Sequence, residues 1–253
     1  MSRHYAGTFF LRVTFGQLNH WMIVMKHWRY FILVLFITGF IACNNDSDSS
    51  IPETSSNINV FQTVPDKEFD AVIDTTTIGS DLAYGDNTGY HAFLAKRYTL
   101  LLYPAGSRTT PTIGGQISLR NGHYYSVFLS ANNQKQLQLL AVEDRLGSAT
   151  PGYGRMRFIN LSDTYVNAAT RLTMDVYLDT VRYFRRQSYL AATDFVEVPA
   201  GTHLLKINYA DSSKVLFGAG SYNMEIADQK QYTIIGYGNA LNTGTFNVTE
   251  FVH

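Results

Sequence analysis

The chain carries one cysteine, Cys43, in 253 residues. A single thiol cannot close an intrachain disulfide, and it rules out CxxC redox motifs and multi-cysteine zinc sites. Charge is also sparse. Asp, Glu, Lys and Arg make up 16% of the chain, and 20 basic side chains balance 20 acidic ones. Residues 1–42 hold Arg3, Arg12, Lys26 and Arg29 and no acid, which leaves 16 basic against 20 acidic side chains beyond them, net −4. Such a body has no positive footprint for a phosphate backbone, so nucleic acid is not an expected partner.

Several chemical signatures are missing as well. No G-x-S-x-G nucleophile elbow occurs, and Gly218-Ala219-Gly220-Ser221 is only a small-residue loop. Gly236-Tyr237-Gly238 lacks the third glycine and following helix of a dinucleotide site, and there is no H-E-x-x-H or calcium-loop pattern. His91, His123, His203 and His253 are scattered and read as surface or strand-edge residues. No catalytic residue, metal or cofactor is expected from these patterns.

What the sequence does hold is strand-forming. Hydrophobic residues reach 45%, with 17 Tyr and 16 Phe, beside many Val, Ile and Thr that suit a pleated, half-buried surface. At the N-terminal side, Phe31 to Ala42 is an unbroken apolar run ending at Cys43, preceded by the basic start Met25-Lys26-His27-Trp28-Arg29. A basic region, a short apolar region and small residues at the break describe a signal peptide over 1–42, with Met25 the expected true start. The apolar run falls short of the roughly 20 residues a membrane-spanning helix needs. Phe40-Ile41-Ala42-Cys43 resembles a lipobox, so Cys43 is the expected lipidation site and the membrane an expected partner through that anchor. Residues 43–57, rich in Ser, Asn and Asp, read as a flexible polar tether. Its acidic residues resemble the export signal of surface lipoproteins and read equally well as a plain spacer.

The body repeats itself. Phe69-Asp70-Ala71-Val72-Ile73-Asp74-Thr75 parallels Met174-Asp175-Val176-Tyr177-Leu178-Asp179-Thr180 at an offset of 105 residues, which also pairs Tyr84 with Tyr189 and Leu100 with Leu205. Tyr125-Ser126-Val127 parallels Tyr232-Thr233-Ile234 at 107. A spacing shared by several segments signals tandem units. Within each, the period is two: Phe69, Ala71 and Ile73 share one face, and Met174, Val176 and Leu178 share another. Turn signals such as Gly85-Asp86-Asn87, Pro104-Ala105-Gly106 and Pro199-Ala200-Gly201 separate the runs. The expected fold is all-β: two tandem immunoglobulin-like Greek-key β-sandwiches after a cleaved signal peptide, over 58–146 and 154–253, with 147–153 as linker.

Met174 to Asp179, Phe195 to Gly201, Tyr98-Thr99-Leu100 with Pro104-Ala105-Gly106, Tyr125 to Phe128, and Asn160-Leu161-Ser162-Asp163 resemble the bacterial family called domain of unknown function 4397. The likeness runs over about 58–252 in two repeats. Leu94-Ala95-Lys96-Arg97 departs from the family's Pro-Ala-Gly turn. The resemblance implies secreted or lipid-anchored envelope proteins and brings no catalytic residues.

Two polar features invite a functional reading. Asp70/Asp74 and Asp175/Asp179 lie four apart on strands, roughly 13 Å at 3.3 Å per residue. That is too far for the carboxylate pairs of glycosidases, which stand at about 5 to 9.5 Å. They are expected on the solvent face and in turns, with cation binding or a fold-specific cross-strand bond as alternatives. Tyr177, Tyr183, Phe184 and Tyr189 lie near Arg182, Arg185 and Arg186, a mixture able to stack on sugars or peptides. The expected ligand-binding residues are therefore Tyr177, Arg182, Tyr183, Phe184, Arg185 and Tyr189. The function expected is an outer-membrane lipoprotein displaying modules that recognise or adhere to an extracellular glycan or protein. The alternatives are a passive envelope component facing the periplasm and, least favoured, an enzyme of unrecognised type.

Overall fold

The computed structural model describes residues 54–218, 222–242 and 245–253. Cys43, the apolar run before it and nearly all of the tether lie outside the described residues. Among the described residues every regular element is a strand, and the all-β sandwich class expected from the sequence stands. In chain order the first eight are β1 (Ser55–Gln62), β2 (Phe69–Ile73), β3 (Thr76–Leu82), β4 (His91–Leu94), β5 (Arg97–Pro104), β6 (Ile113–Ser118), β7 (Tyr124–Ala131) and β8 (Leu137–Asp144). They build two sheets, β4-β1-β7-β8 and β3-β2-β5-β6.

Beyond the coil at 145–152 come β9 (Tyr153–Leu161), β10 (Met174–Leu178), β11 (Val181–Gln187), β12 (Val196–Pro199) and β13 (Gly201–Tyr209). They are followed by β14 (Val215–Phe217), β15 (Asn223–Ile226), β16 (Gln231–Tyr237) and β17 (Asn247–Val252). Their sheets run β12-β9-β16-β17 and β11-β10-β13-β14, with β15 also on β13. The same strand order thus occurs twice. In each, the first strand lies parallel to the strand just before the last, β1 to β7 and β9 to β16. A seven-stranded immunoglobulin domain sets ABED against CFG; here four strands face four or five.

Alternation along β2, β5, β10 and β13 places one face of each on a sandwich core. In the first sandwich that core includes Ile58, Val60, Phe69, Ala71, Ile73, Leu100, Leu102 and Val127. In the second it includes Met156, Phe158, Met174, Val176, Leu178, Leu205, Ile207 and Ile234. A third cluster joins the two: Phe61 and Phe128 from the first pack with Ile159, Leu161, Ile235 and Tyr237 from the second. Phe61 stacks on Phe128 with centroids 4.7 Å apart and takes the edge of Phe251 at 5.0 Å. On β7, Val127 and Leu129 turn to one core and Phe128 to the other. On β9, Phe158 and Ile159 divide in the same way. β1, β7, β9 and β16 are therefore buried on both faces, and the two sandwiches form a stack of four sheets. The outermost are β3-β2-β5-β6 and β11-β10-β13-β14.

Candidate functional site

The paired aspartates come first because the fold uses them twice. Asp70 and Asp175 are 4% and 0% exposed, which corrects the solvent-face expectation. Each takes one backbone N–H from the neighbouring edge strand and one from a loop. Asp81 N and Gly106 N donate to Asp70 at 2.9 and 3.2 Å. Arg186 N and Asp211 N, at the same sequence separations, donate to Asp175 at 2.7 and 3.1 Å. The fold-specific bond is the role the structure selects: a buried carboxylate that accepts a backbone amide from the neighbouring strand and another from a loop. Asp74 and Asp179 are the turn residues between paired strands, at φ 52° and 54°, a left-handed conformation that aspartate tolerates. Thr99 N and Leu204 N donate to them at 2.9 Å each.

Because these features recur in both halves, they belong to the fold. What occurs in only one half needs another explanation, and the outer sheet of the second sandwich supplies it. Tyr177 on β10 faces Arg182 on β11 and Lys206 on β13 across the sheet. The same row in the first sandwich is Val72, Thr77 and Leu101. The Lys206 ammonium lies 5.0 Å over the Tyr177 ring. Arg182 reaches buried Asp175 at 3.1 Å. Arg185 and Arg186 both pair with Asp211, the former at 3.1 Å. Hydrogen bonds first from Arg186 and then from Arg185 hold the Asp211 carboxyl below its ordinary range. In the first sandwich the positions of Arg185 and Arg186 are Ser80 and Asp81, and Arg108 alone approaches Asp70, at 3.5 Å.

The six expected ligand-binding residues therefore separate. Tyr177, Arg182 and Arg185 gather on this face, joined by Arg186 and Lys206. Phe184 is only 6% exposed and belongs to the second core, with Tyr183 packed partly against it. Tyr189 stands elsewhere, 3.4 Å from Ser130 Oγ of the first sandwich and under the Arg171 guanidinium at 5.4 Å. The aromatics singled out from the sequence do not gather on this face, because Tyr183 and Phe184 both pack on the second core and Tyr189 lies against the first sandwich, which leaves Tyr177. The face that does form is cationic. Lys206 and Asp211 escaped the sequence reading, and Arg186 was named beside the aromatics but left out of the expected ligand-binding residues, although the offset of 105 already set Lys206 against Leu101 and Arg186 against Asp81.

A second polar cluster lies between the sandwiches. Asp144 and Arg157 are 3% and 1% exposed and form an ion pair. Tyr90 and Ser126 hydroxyls donate to the other Asp144 oxygen at 2.7 and 2.8 Å. Arg157 Nε donates to Thr233 Oγ1 at 2.8 Å. His253 bridges Thr233 and Tyr90 at 2.7 and 2.8 Å. With the Tyr90 hydroxyl donating to Asp144, the bonds close into a ring if His253 is neutral and carries its proton on Nδ1. Burial pushes His253 down to about 4, which fits that state. Burial, then the Asp144 charge, pushes Tyr90 up. His253 is thus a partner in a buried ring, which corrects its reading as a surface residue. His203 likewise has a side chain only 14% exposed and sits 2.7 Å from Asp179.

The surface depressions offer less. One of about 310 Å³ beside β6 and β8, lined by Leu100, Ile113, Ile117, Leu137 and Leu139, has no ionisable group in its wall. Among the described residues, no cluster of three or more His, Cys, Asp or Glu is placed to hold a metal ion.

No curated protein matches the chain. Residues 56–167, from β1 through β9 and the loop beyond it, match the family model described as Domain of unknown function (DUF4397), and over that stretch the resemblance to that family stands.

Proposed function

We propose that the chain is a cell-envelope lipoprotein, held in the outer membrane through Cys43, whose two sandwiches serve recognition or adhesion toward an extracellular glycan or protein. The observation that carries this reading is the row Arg182–Tyr177–Lys206 with Arg185 and Arg186. It occupies an outermost sheet, and only one of two otherwise equivalent sandwiches has it. A surface needed only for folding would recur in both, as the buried aspartates do. The four-sheet stack supports the same reading, because a site on a rigid element is held in place for its ligand.

Protease shaving of intact cells, comparing wild type with Cys43→Ala, tests it. Cleavage of the wild-type sandwiches while a periplasmic control survives is the expected result. Protection of the sandwiches would remove adhesion and leave a passive or assembly role facing the periplasm.

A further inference from the structure

We infer that the outer sheet of the second sandwich is a binding site for an acidic polysaccharide carrying carboxylates along its length. This rests on the recognition reading and names its ligand class.

The donors outnumber the acceptors. Three guanidinium groups, Arg182, Arg185 and Arg186, offer five N–H donors each. Two aspartates face them, and Asp175 already accepts the backbone amides of Arg186 and Asp211. The Arg185 and Arg186 side chains remain 59% and 63% exposed, and that of Arg182 36%. Four cations, counting Lys206, against two carboxylates leave the face positive on a body that is acidic as a whole. Asp211 accepts Nε and Nη2 of Arg185 and Nε of Arg186, which orients the two guanidinium forks side by side and leaves their outer Nη donors for a ligand. Such forks match carboxylates bidentately.

The layout favours a chain over a compact partner. Arg182, Tyr177 and Lys206 stand on adjacent strands, so the cations at either end are two strand spacings apart, roughly 10 Å. A polymer with one carboxylate per sugar presents charge at comparable intervals. Leu204, two residues before Lys206 on β13, and Val215 on the adjoining β14 are 40% and 37% exposed and can meet the C–H faces of sugar rings. A folded protein partner is anchored by Trp, Tyr or Arg side chains in well-packed, desolvated pockets. The aromatic residue there, Tyr177, has its ring covered by Lys206, and Phe184 is buried.

The first sandwich provides the control, because its residues show what the fold accepts. A variant carrying Arg185→Ser, Arg186→Asp and Lys206→Leu installs the residues found at the matching positions 80, 81 and 101. The full-length protein in detergent is titrated with polygalacturonate, dextran, polyglutamate and phosphatidylglycerol vesicles. Melting temperatures confirm that the variant is folded, and Arg185→Lys/Arg186→Lys separates fork geometry from charge. The expected result is binding to polygalacturonate but not dextran, at least about tenfold weaker in the triple variant and intermediate in the lysine variant. Absence of binding, binding unchanged in the triple variant, or equal binding to polyglutamate or vesicles overturns the inference. If shaving finds the sandwiches outside while polygalacturonate does not bind, this ligand class falls and the recognition reading survives. If binding holds but the sandwiches are protected, the reverse follows.

Discussion

Removing the Asp144 carboxylate should uncouple the two sandwiches, and the structure fixes how large the effect is. The Asp144 side chain is fully buried, that of Arg157 is 2% exposed, and the two form an ion pair. Asp144→Ala leaves the guanidinium buried beside Thr233 and the Phe195 ring, whose centroid lies 4.8 Å from it. It also strands the hydroxyls of Tyr90 and Ser126. Breaking a buried pair from one side costs about 3–5 kcal/mol, because the remaining charge has no compensation. For a body of this size each kcal/mol lowers Tm by roughly 2–4 °C, so a fall of roughly 6–20 °C is expected in scanning calorimetry. Wild type should melt in one transition, and the variant should show a second, earlier one as the inter-sandwich contact fails. Arg120→Ala, which removes an exposed pair with Glu143, is the control and should barely move Tm. The double variant Asp144→Leu/Arg157→Met should recover most of the loss, since well-packed apolar groups replace such pairs at little cost. A fall of less than about 2 °C for Asp144→Ala, or two separate transitions in wild type, would refute the reasoning.

Stability should also depend on pH through His253. Burial holds it neutral down to about pH 4 in the folded state, whereas an unfolded histidine titrates near 6.5. Between those values the unfolded chain binds more protons, so stability declines as pH falls from about 6.5 to about 4, by up to roughly 3 kcal/mol. Urea unfolding across that range checks it, and His253→Gln should flatten the profile. Phe128→Ala removes a ring shared by Phe61 and the inter-sandwich cluster and should cost about 3–5 kcal/mol in urea unfolding. Asp175→Ala should destabilise by about 2–4 kcal/mol, since it orphans the amides of Arg186 and Asp211. Hydrogen exchange at those two amides should rise first, and protection unchanged from wild type would contradict the capping role.

The sequence carried the fold further than the site. The strict alternation in Phe69–Ile73 and Met174–Leu178 gave both the strand class and the inward faces, because a two-residue period has one meaning when one face is buried. It failed where both faces are buried. Tyr125 to Leu129 and Ile234-Ile235 read as strands, but nothing in a period-two pattern says that Phe128 and Ile235 pack on the other sandwich. Their near-continuous apolar character, broken in the first only by Ser126, was the available signal. The buried roles of Asp70 and Asp175 were invisible because the strand and loop amides they accept come from 11 and 36 residues away. The supposed aromatic patch failed for the opposite reason. Tyr183, Phe184 and Tyr189 are close to Tyr177 in sequence, yet the first two pack on the second core and Tyr189 reaches Ser130 of the first sandwich. Comparing the two halves position by position proved the better guide, since it separates what the fold requires from what one half adds.

The central claim is that the cationic sheet faces the exterior of the cell. Because Cys43 is the chain's one native cysteine, a single Arg185→Cys substitution can be labelled on intact cells with a membrane-impermeant maleimide. The account predicts prompt labelling on intact cells, matched by Ser118→Cys on the far outer sheet. Labelling that appears only after the outer membrane is permeabilised would contradict it.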